Sequence, residues 1–169
     1  AYHSLLKSER TNFHKIIAET IEDKFYNDFE GLYAILAHHY YNSQNFSKAF
    51  EYSLKTGDEA IALYANEEAL IHYKQALSFT DDKLTKARVL EKIGDIEYLT
   101  GQVDDALKHF QEAQNLVEDR LIQARITSKI ARIFVDTGKI DQGIKIMKKT
   151  LKNIEGSETT VFVEVNYQL

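Results

Sequence analysis

The sequence lacks several residue types that particular classes of protein require. It contains no cysteine among its 169 residues, so neither a disulfide framework nor a thiolate zinc site can form. It also contains no proline or tryptophan and only seven glycines, which stand singly along the chain. A phosphate-cradling loop needs clustered glycines. These absences favour a helical chain and predict no bound cofactor.

The charge balance excludes two further classes of partner. The chain has 21 Lys and Arg against 26 Asp and Glu, a net charge of -5. A protein that neutralises nucleic-acid phosphates needs the opposite excess, so we expect no nucleic-acid binding. The longest stretch without a charged residue, 31–47, contains His, Asn, Gln and Ser side chains, and we therefore expect no membrane span.

The beginning of the chain indicates its context. The first residue is Ala1 rather than methionine, and no apolar run follows a basic stretch, so no signal peptide is visible. We therefore interpret the chain as a piece of a longer protein. The lack of cysteine fits a reducing compartment, and we expect the protein to be cytoplasmic.

Apolar residues recur at helical spacing over most of the chain. Val103, Ala106, Phe110 and Ala113 follow one another at steps of three and four, which places them on one helical face. Single glycines separate such runs, as expected where helices end. The pattern predicts nine helices joined by short turns: 8–25, 29–43, 46–56, 58–64, 67–79, 82–100, 103–117, 120–137 and 140–154.

The chain repeats itself at an offset of 37 residues. The segment TGQVD at 100–104 returns as TGKID at 137–141. The same offset joins Ala69, Tyr73 and Ala76 to a second set of small and large residues, Ala106, Phe110 and Ala113. A small residue lets two helices approach closely and a large one fills the adjacent space, so the repeat predicts stacked helical hairpins.

These residues resemble the tetratricopeptide repeat, whose unit is a helical hairpin with a sparse signature. Its first helix is matched by Tyr33, Leu36, Ala37 and Tyr40, and Ala49 follows at the family's spacing. Later copies depart from the signature: Glu97 stands where the tyrosine belongs, the closing proline is missing, and the offset exceeds the family's usual length. The resemblance implies an all-α, right-handed superhelix of antiparallel helix pairs with degenerate repeats.

A second resemblance covers roughly the first half of the chain. The run LLKS at 5–8, followed by Arg10 and His14, and the later run LAHHY at 36–40 are similar to a segment of large bacterial and archaeal signalling proteins. Those proteins place a P-loop ATPase, often with an adenylate-cyclase or DNA-binding domain, ahead of a tetratricopeptide array. The resemblance implies that this chain is the regulatory array of such a protein.

Candidate chemical sites have simpler structural explanations. His38 and His39 point about 100° apart on a helix and cannot both ligate one ion without further partners. His72 and His109 differ by the repeat offset, which makes them equivalent positions. Paired acidic residues open several predicted helices, where the helix dipole favours them. We therefore predict no catalytic residue and no metal site.

The concave face of a tetratricopeptide superhelix is where the family binds peptides, and its positions transfer to this chain. The mixture of aromatic, amide and charged side chains there suits a polypeptide. In these positions stand His38, Tyr41 and Asn42 in the first copy, Arg88, Glu91, Asp95 and Tyr98 in the second, and Arg125, Ser128 and Arg132 in the third.

The sequence thus predicts three segments: an N-terminal helix in 1–28, a degenerate array in 29–154 and a tail in 155–169. We expect a protein or peptide partner, including upstream domains of the parent protein, with a small-molecule effector sensor as the alternative. The tail is predicted to begin another helix that leaves Val161, Val165 and Leu169 uncovered. Such a helix either frays or packs on a second copy, which would make a homodimer through the C-terminal end.

Overall fold

The computed structural model describes residues 6–25 and 31–154. Within these ranges the chain is all-α, without a strand, as the periodicity predicts. The described residues form eight helices: α1 (Lys7–Lys24), α2 (Tyr33–Asn42), α3 (Phe46–Ala62), α4 (Asn66–Leu77), α5 (Lys83–Leu99), α6 (Val103–Leu116), α7 (Arg120–Asp136) and α8 (Ile140–Ile154).

The prediction of two separate helices at 46–56 and 58–64 is wrong. Helix α3 continues through Gly57 because this glycine is a packing position. Gly57 is buried, and a Cβ atom there would lie 2.5 Å from Cε1 of Tyr73. The absence of a side chain therefore brings α3 and α4 close together without interrupting the helix.

The described residues divide into two compact units, with the boundary between Thr85 and Lys86 inside α5. In the first unit, α1, α2 and α3 share one core. Small residues alternate there with aromatic rings, and the rings of Tyr40 and Tyr52 stack with their centroids 5.7 Å apart. The core residues are Ala18, Leu36, Ala37, Tyr40, Ala49 and Tyr52.

The second unit repeats the small-to-large contact of the first. A Cβ atom on Gly94 in α5 would lie 2.8 Å from Cε1 of Phe110 in α6. This pair follows the pair of Gly57 and Tyr73 by 37 residues at both positions. The 37-residue offset therefore corresponds to a repeated contact between consecutive helices.

The turns follow the same offset. Tyr64, Gly101 and Gly138 are spaced by 37 residues and all have positive φ, at 59°, 82° and 81°. After Gly101, the amide of Gln102 donates to the carbonyl of Glu97 at 2.7 Å, which closes the helix end as a Schellman turn. The turn glycines at 101 and 138 thus end helices as predicted.

Two further findings concern membrane-spanning helices and the two ends of the chain. No helix among the described residues has both the length and the apolar content that crossing a membrane requires. The predicted N-terminal helix is present as α1, whereas the tail at 155–169 lies outside the described residues.

Candidate functional site

Charged side chains of α5 and α7 pair across the two helices in the second unit. Arg125 Nη2 lies 2.7 Å from Glu91 Oε2, and Lys129 Nζ lies 2.9 Å from Glu91 Oε1. Lys129 Nζ also reaches Asp95 Oδ2 at 2.6 Å. We call Glu91, Asp95, Arg125 and Lys129 the α5–α7 ladder. The spacing of four residues between Glu91 and Asp95, and between Arg125 and Lys129, places each pair on one face of its helix.

A polar contact extends the ladder toward the C-terminal ends of both helices. The hydroxyl of Tyr98 donates to the carboxylate of Asp136, and Arg132 Nε lies 3.5 Å from the same carboxylate. This hydrogen bond, followed by burial, raises the pKa of Tyr98. Tyr98 therefore bridges α5 and α7.

The structure distinguishes among the residues predicted for this face. Glu91 is only 7% exposed and is engaged by two cations, Arg125 and Lys129. Its carboxylate therefore holds these two side chains in place and is itself little exposed to a partner. The side chains of Arg125, Asp95 and Arg132 are 47%, 50% and 58% exposed. Arg88 is exposed, and the hydroxyl of Ser128 donates to the carbonyl of Arg125 at 2.7 Å.

The sequence selection missed two members of this surface, Lys129 and Asp136. Together with Arg125 and Arg132 they form a charged series at steps of four, three and four along α7. That series could have been recognised as a partner for the polar residues predicted on α5, which are Arg88, Glu91, Asp95 and Tyr98. The family's concave-face positions do not include these two residues, whose roles depend on charges across neighbouring helices.

The three predicted residues in the first unit lie near a different concavity. Tyr41 and Asn42 line a cleft of about 290 Å³ between α1, α2 and the start of α3, which we call the α1–α2 cleft. His38 is exposed, and its carbonyl accepts a hydrogen bond from Asn42 Nδ2 at 2.8 Å. The other lining residues are Lys7, Arg10, Thr11, His14, Gln44 and Phe46.

Three imidazoles meet beside this cleft. His14 Nδ1 lies 2.8 Å from His39 Nδ1, and the ring centroid of His38 lies 5.6 Å from that of His14. Burial, followed by the neighbouring imidazoles, lowers the pKa of both His14 and His39. No group of three or more His, Cys, Asp or Glu within 6–25 and 31–154 is arranged to hold a metal ion.

A larger cleft lies between α6, α7 and α8, and the sequence did not predict it. Its volume is about 770 Å³, and we call it the α6–α8 cleft. The cleft is lined by Gln111, Gln114, Arg120, Gln123, Ala124, Thr127, Ile130, Phe134, Ile146, Lys149, Thr150, Lys152 and Asn153.

Comparison with known proteins identifies the fold. No protein-family model and no curated protein matches the chain. Among solved structures, a crystal structure of MamA, a tetratricopeptide-like all-helical protein, matches with a TM-score of 0.57 and 16% identity, over 82% of this chain and 85% of that one. The chain has a tetratricopeptide-like fold. A second MamA structure aligns over 95% of this chain and 97% of the other, with a TM-score of 0.40 and 16% identity. The match with a TM-score of 0.57 confirms the fold class predicted from the repeats.

Proposed function

We propose that the chain is a non-catalytic protein-interaction module that binds a polypeptide on the face formed by α5 and α7. The α5–α7 ladder is the observation that carries this proposal. Its ion pairs hold exposed groups of both charge signs in fixed positions, with the aromatic ring of Tyr98 beside them. A surface already ordered before binding loses less side-chain entropy when a partner docks.

The composition of this face suits a polypeptide better than a small substrate. Arginine and tyrosine are enriched among residues that dominate protein interfaces, and Arg125, Arg132 and Tyr98 all lie on it. The carboxylates of Glu91 and Asp95 are engaged by Arg125 and Lys129. Their arrangement supports recognition by hydrogen bonds and charge, with no bond made or broken.

A second, more specific part of the proposal concerns the longer protein to which the chain belongs. The similarity of LLKS at 5–8 and LAHHY at 36–40 to multidomain signalling ATPases and cyclases supports a role as their regulatory arm. In that role the α5–α7 face binds an upstream domain of the same protein in the cytoplasm. Dimerisation through the C-terminal end stays a prediction, because the residues on which it depends lie in 155–169, outside the described ranges.

The test is a double substitution, Tyr98→Ala with Arg132→Ala. Losing an aromatic anchor and a charged group from a peptide hot spot costs about 2 kcal/mol or more, which is about 30-fold in Kd. The matched control removes one tyrosine and one cation from other surfaces, Tyr64→Ala with Lys108→Ala. Calorimetric titration against the upstream part of the parent protein measures both, with circular dichroism to check the fold.

The α1–α2 cleft supports a second candidate function, the binding of a small anionic effector. Lys7 and Arg10 line this cleft together with the aromatic residues Tyr41 and Phe46, and its volume of about 290 Å³ is just below the range typical of ligand pockets. Calorimetric titration with a panel of nucleotides and dicarboxylic acids tests this function. We expect saturable binding that Arg10→Ala abolishes, and the absence of binding across the panel would contradict it.

A further inference from the structure

Three cations converge on the α6–α8 cleft from two helices. Arg120 begins α7, while Lys149 and Lys152 lie near the end of α8. No Asp or Glu is among the lining residues, although the chain as a whole carries a net charge of -5. None of the three cations forms an ion pair with another residue in the described part of the chain. The cleft is therefore locally positive and suited to an anionic partner.

The acidic residue that directly precedes Arg120 in sequence does not pair with it but caps a helix. Asp119 is the N-cap of α7, and its Oδ1 accepts hydrogen bonds from the amides of Leu121 at 2.8 Å and Ile122 at 2.9 Å. Its carboxylate is therefore held at the helix end. Arg120 is left to face the cleft with the two lysines.

The remainder of the cleft has the chemistry of a peptide-binding surface. Ala124 and Ile130 are buried in its floor, and Phe134 and Ile146 are half-buried beside them. These residues offer an apolar surface to an aliphatic side chain.

Amide side chains form part of the wall of the cleft. Gln114 Nε2 donates to Thr127 Oγ1 at 2.5 Å, and Gln123 Nε2 donates to the carbonyl of Val117 at 2.6 Å. These bonds fix both amides and leave their oxygens able to accept from a peptide backbone.

We propose that the α6–α8 cleft is a second binding site, which takes an acidic linear segment of a partner protein. Aliphatic side chains of the segment lie on the apolar floor, and its carboxylates pair with Arg120, Lys149 and Lys152. The site shares no side chain with the α5–α7 ladder and goes beyond the function proposed for that face. Nucleic acid fits less well, because three cations neutralise few phosphates and Phe134, the one aromatic in the lining, is half-buried.

The experiment uses a short fluorescein-labelled peptide of glutamate, glycine and leucine, and fluorescence anisotropy to measure its Kd. The test variant is Lys149→Glu with Lys152→Glu. The matched control is Lys145→Glu with Lys148→Glu, which makes the same change of net charge on exposed positions of α8 outside the cleft. We expect the probe to bind the wild type and the control alike and to bind the test variant at least ~10-fold more weakly, since two charge-assisted contacts are reversed.

Several outcomes would overturn the proposal. Equal loss of binding in both variants would show that only overall charge attracts the probe. A peptide with lysine in place of each glutamate should not bind. If it bound as tightly as the acidic probe, the carboxylates would not be what the cleft recognises. Tighter binding of a single-stranded DNA oligonucleotide would assign the cleft to nucleic acid. Sedimentation equilibrium in which Lys149→Glu with Lys152→Glu dissociates a dimer would assign it to a second copy.

The test also separates this site from the proposed function. The double variant Tyr98→Ala with Arg132→Ala alters the α5–α7 face and leaves the lining of the α6–α8 cleft unchanged. We therefore expect it to bind the acidic probe as the wild type does. Loss of binding to the upstream domain, with the probe still bound, would show that the two sites act separately.

Discussion

The contact between Gly94 and Phe110 gives the sharpest test of the repeat packing. The experiment is a double-mutant cycle with Gly94→Ala, Phe110→Ala and the combination of both. Phe110 is 1% exposed, and a Cβ on residue 94 would lie 2.8 Å from its Cε1 and 3.0 Å from its Cδ1 and Cζ. The ring has no exposed side toward which it could move.

The expected free energies of unfolding follow from this geometry. Overpacking by one methyl group costs about 1–3 kcal/mol, and the better helix propensity of alanine offsets about 1 kcal/mol. Gly94→Ala alone should therefore cost up to about 2 kcal/mol. Phe110→Ala leaves a cavity and should cost about 3–5 kcal/mol. In the Phe110→Ala background, where the ring is absent, Gly94→Ala should instead stabilise the fold by about 1 kcal/mol. The coupling free energy between the two substitutions should therefore be about 1–3 kcal/mol.

Urea denaturation measures these values. Because the chain has ten tyrosines and no tryptophan, far-UV circular dichroism and tyrosine fluorescence are the suitable probes. Their transitions must coincide for a two-state analysis, which matters in a chain with two compact units.

The control for this cycle is Gly101→Ala. Gly101 has a φ of 82° and no atom within 4 Å of a Cβ placed on it, so its cost is one of backbone strain. Its effect should add to that of Phe110→Ala. If Gly94→Ala is also additive with Phe110→Ala, within about 0.5 kcal/mol, the small-to-large packing is refuted.

Three further predictions concern other parts of the chain. Burial and neighbouring imidazoles lower the pKa of His14 and His39 below the unfolded value of 6.5, so the unfolded state binds more protons and Tm should fall as pH drops below about 6.5. Replacing both histidines by glutamine should flatten this dependence in thermal melts, and an unchanged slope would contradict the assignment. His109→Ala removes the 2.5 Å hydrogen bond to the buried Glu97 and should cost about 1–3 kcal/mol in urea denaturation, whereas an unaltered midpoint would show the bond to be unimportant. Tyr64→Gly should stabilise by about 1 kcal/mol, because Tyr64 is 90% exposed and occupies a left-handed position that glycine takes at 101 and 138; a lower Tm would argue against strain there.

The repeat offset made the fold largely predictable from sequence. Apolar periodicity and single glycines placed most helix boundaries within a few residues of those in the structure. The failure at Gly57 has a physical cause, since glycine serves both to end a helix and to admit a neighbouring ring. Gly94 lies 37 residues after Gly57 and is also inside a helix against an aromatic ring. This repeat relation is the one sequence signal that marks Gly57 as a packing position and not as a helix end.

The candidate sites were less predictable, because they depend on side chains that converge from different helices. The residues on α5 were predicted from the family's concave-face positions, but the burial of Glu91 beneath its cations on α7 was not. The α6–α8 cleft joins residues more than 30 positions apart, and no local pattern marks it. Charge complementarity between successive first helices is the signal that could have improved the prediction.

Calorimetric titration of the chain with the upstream part of its parent protein tests the central claim most directly. We predict that the wild type and the Tyr64→Ala/Lys108→Ala control bind with similar affinity. The Tyr98→Ala/Arg132→Ala variant should keep its helical circular dichroism spectrum and bind about 30-fold more weakly. Unchanged affinity in this folded variant would contradict a binding role for the α5–α7 face.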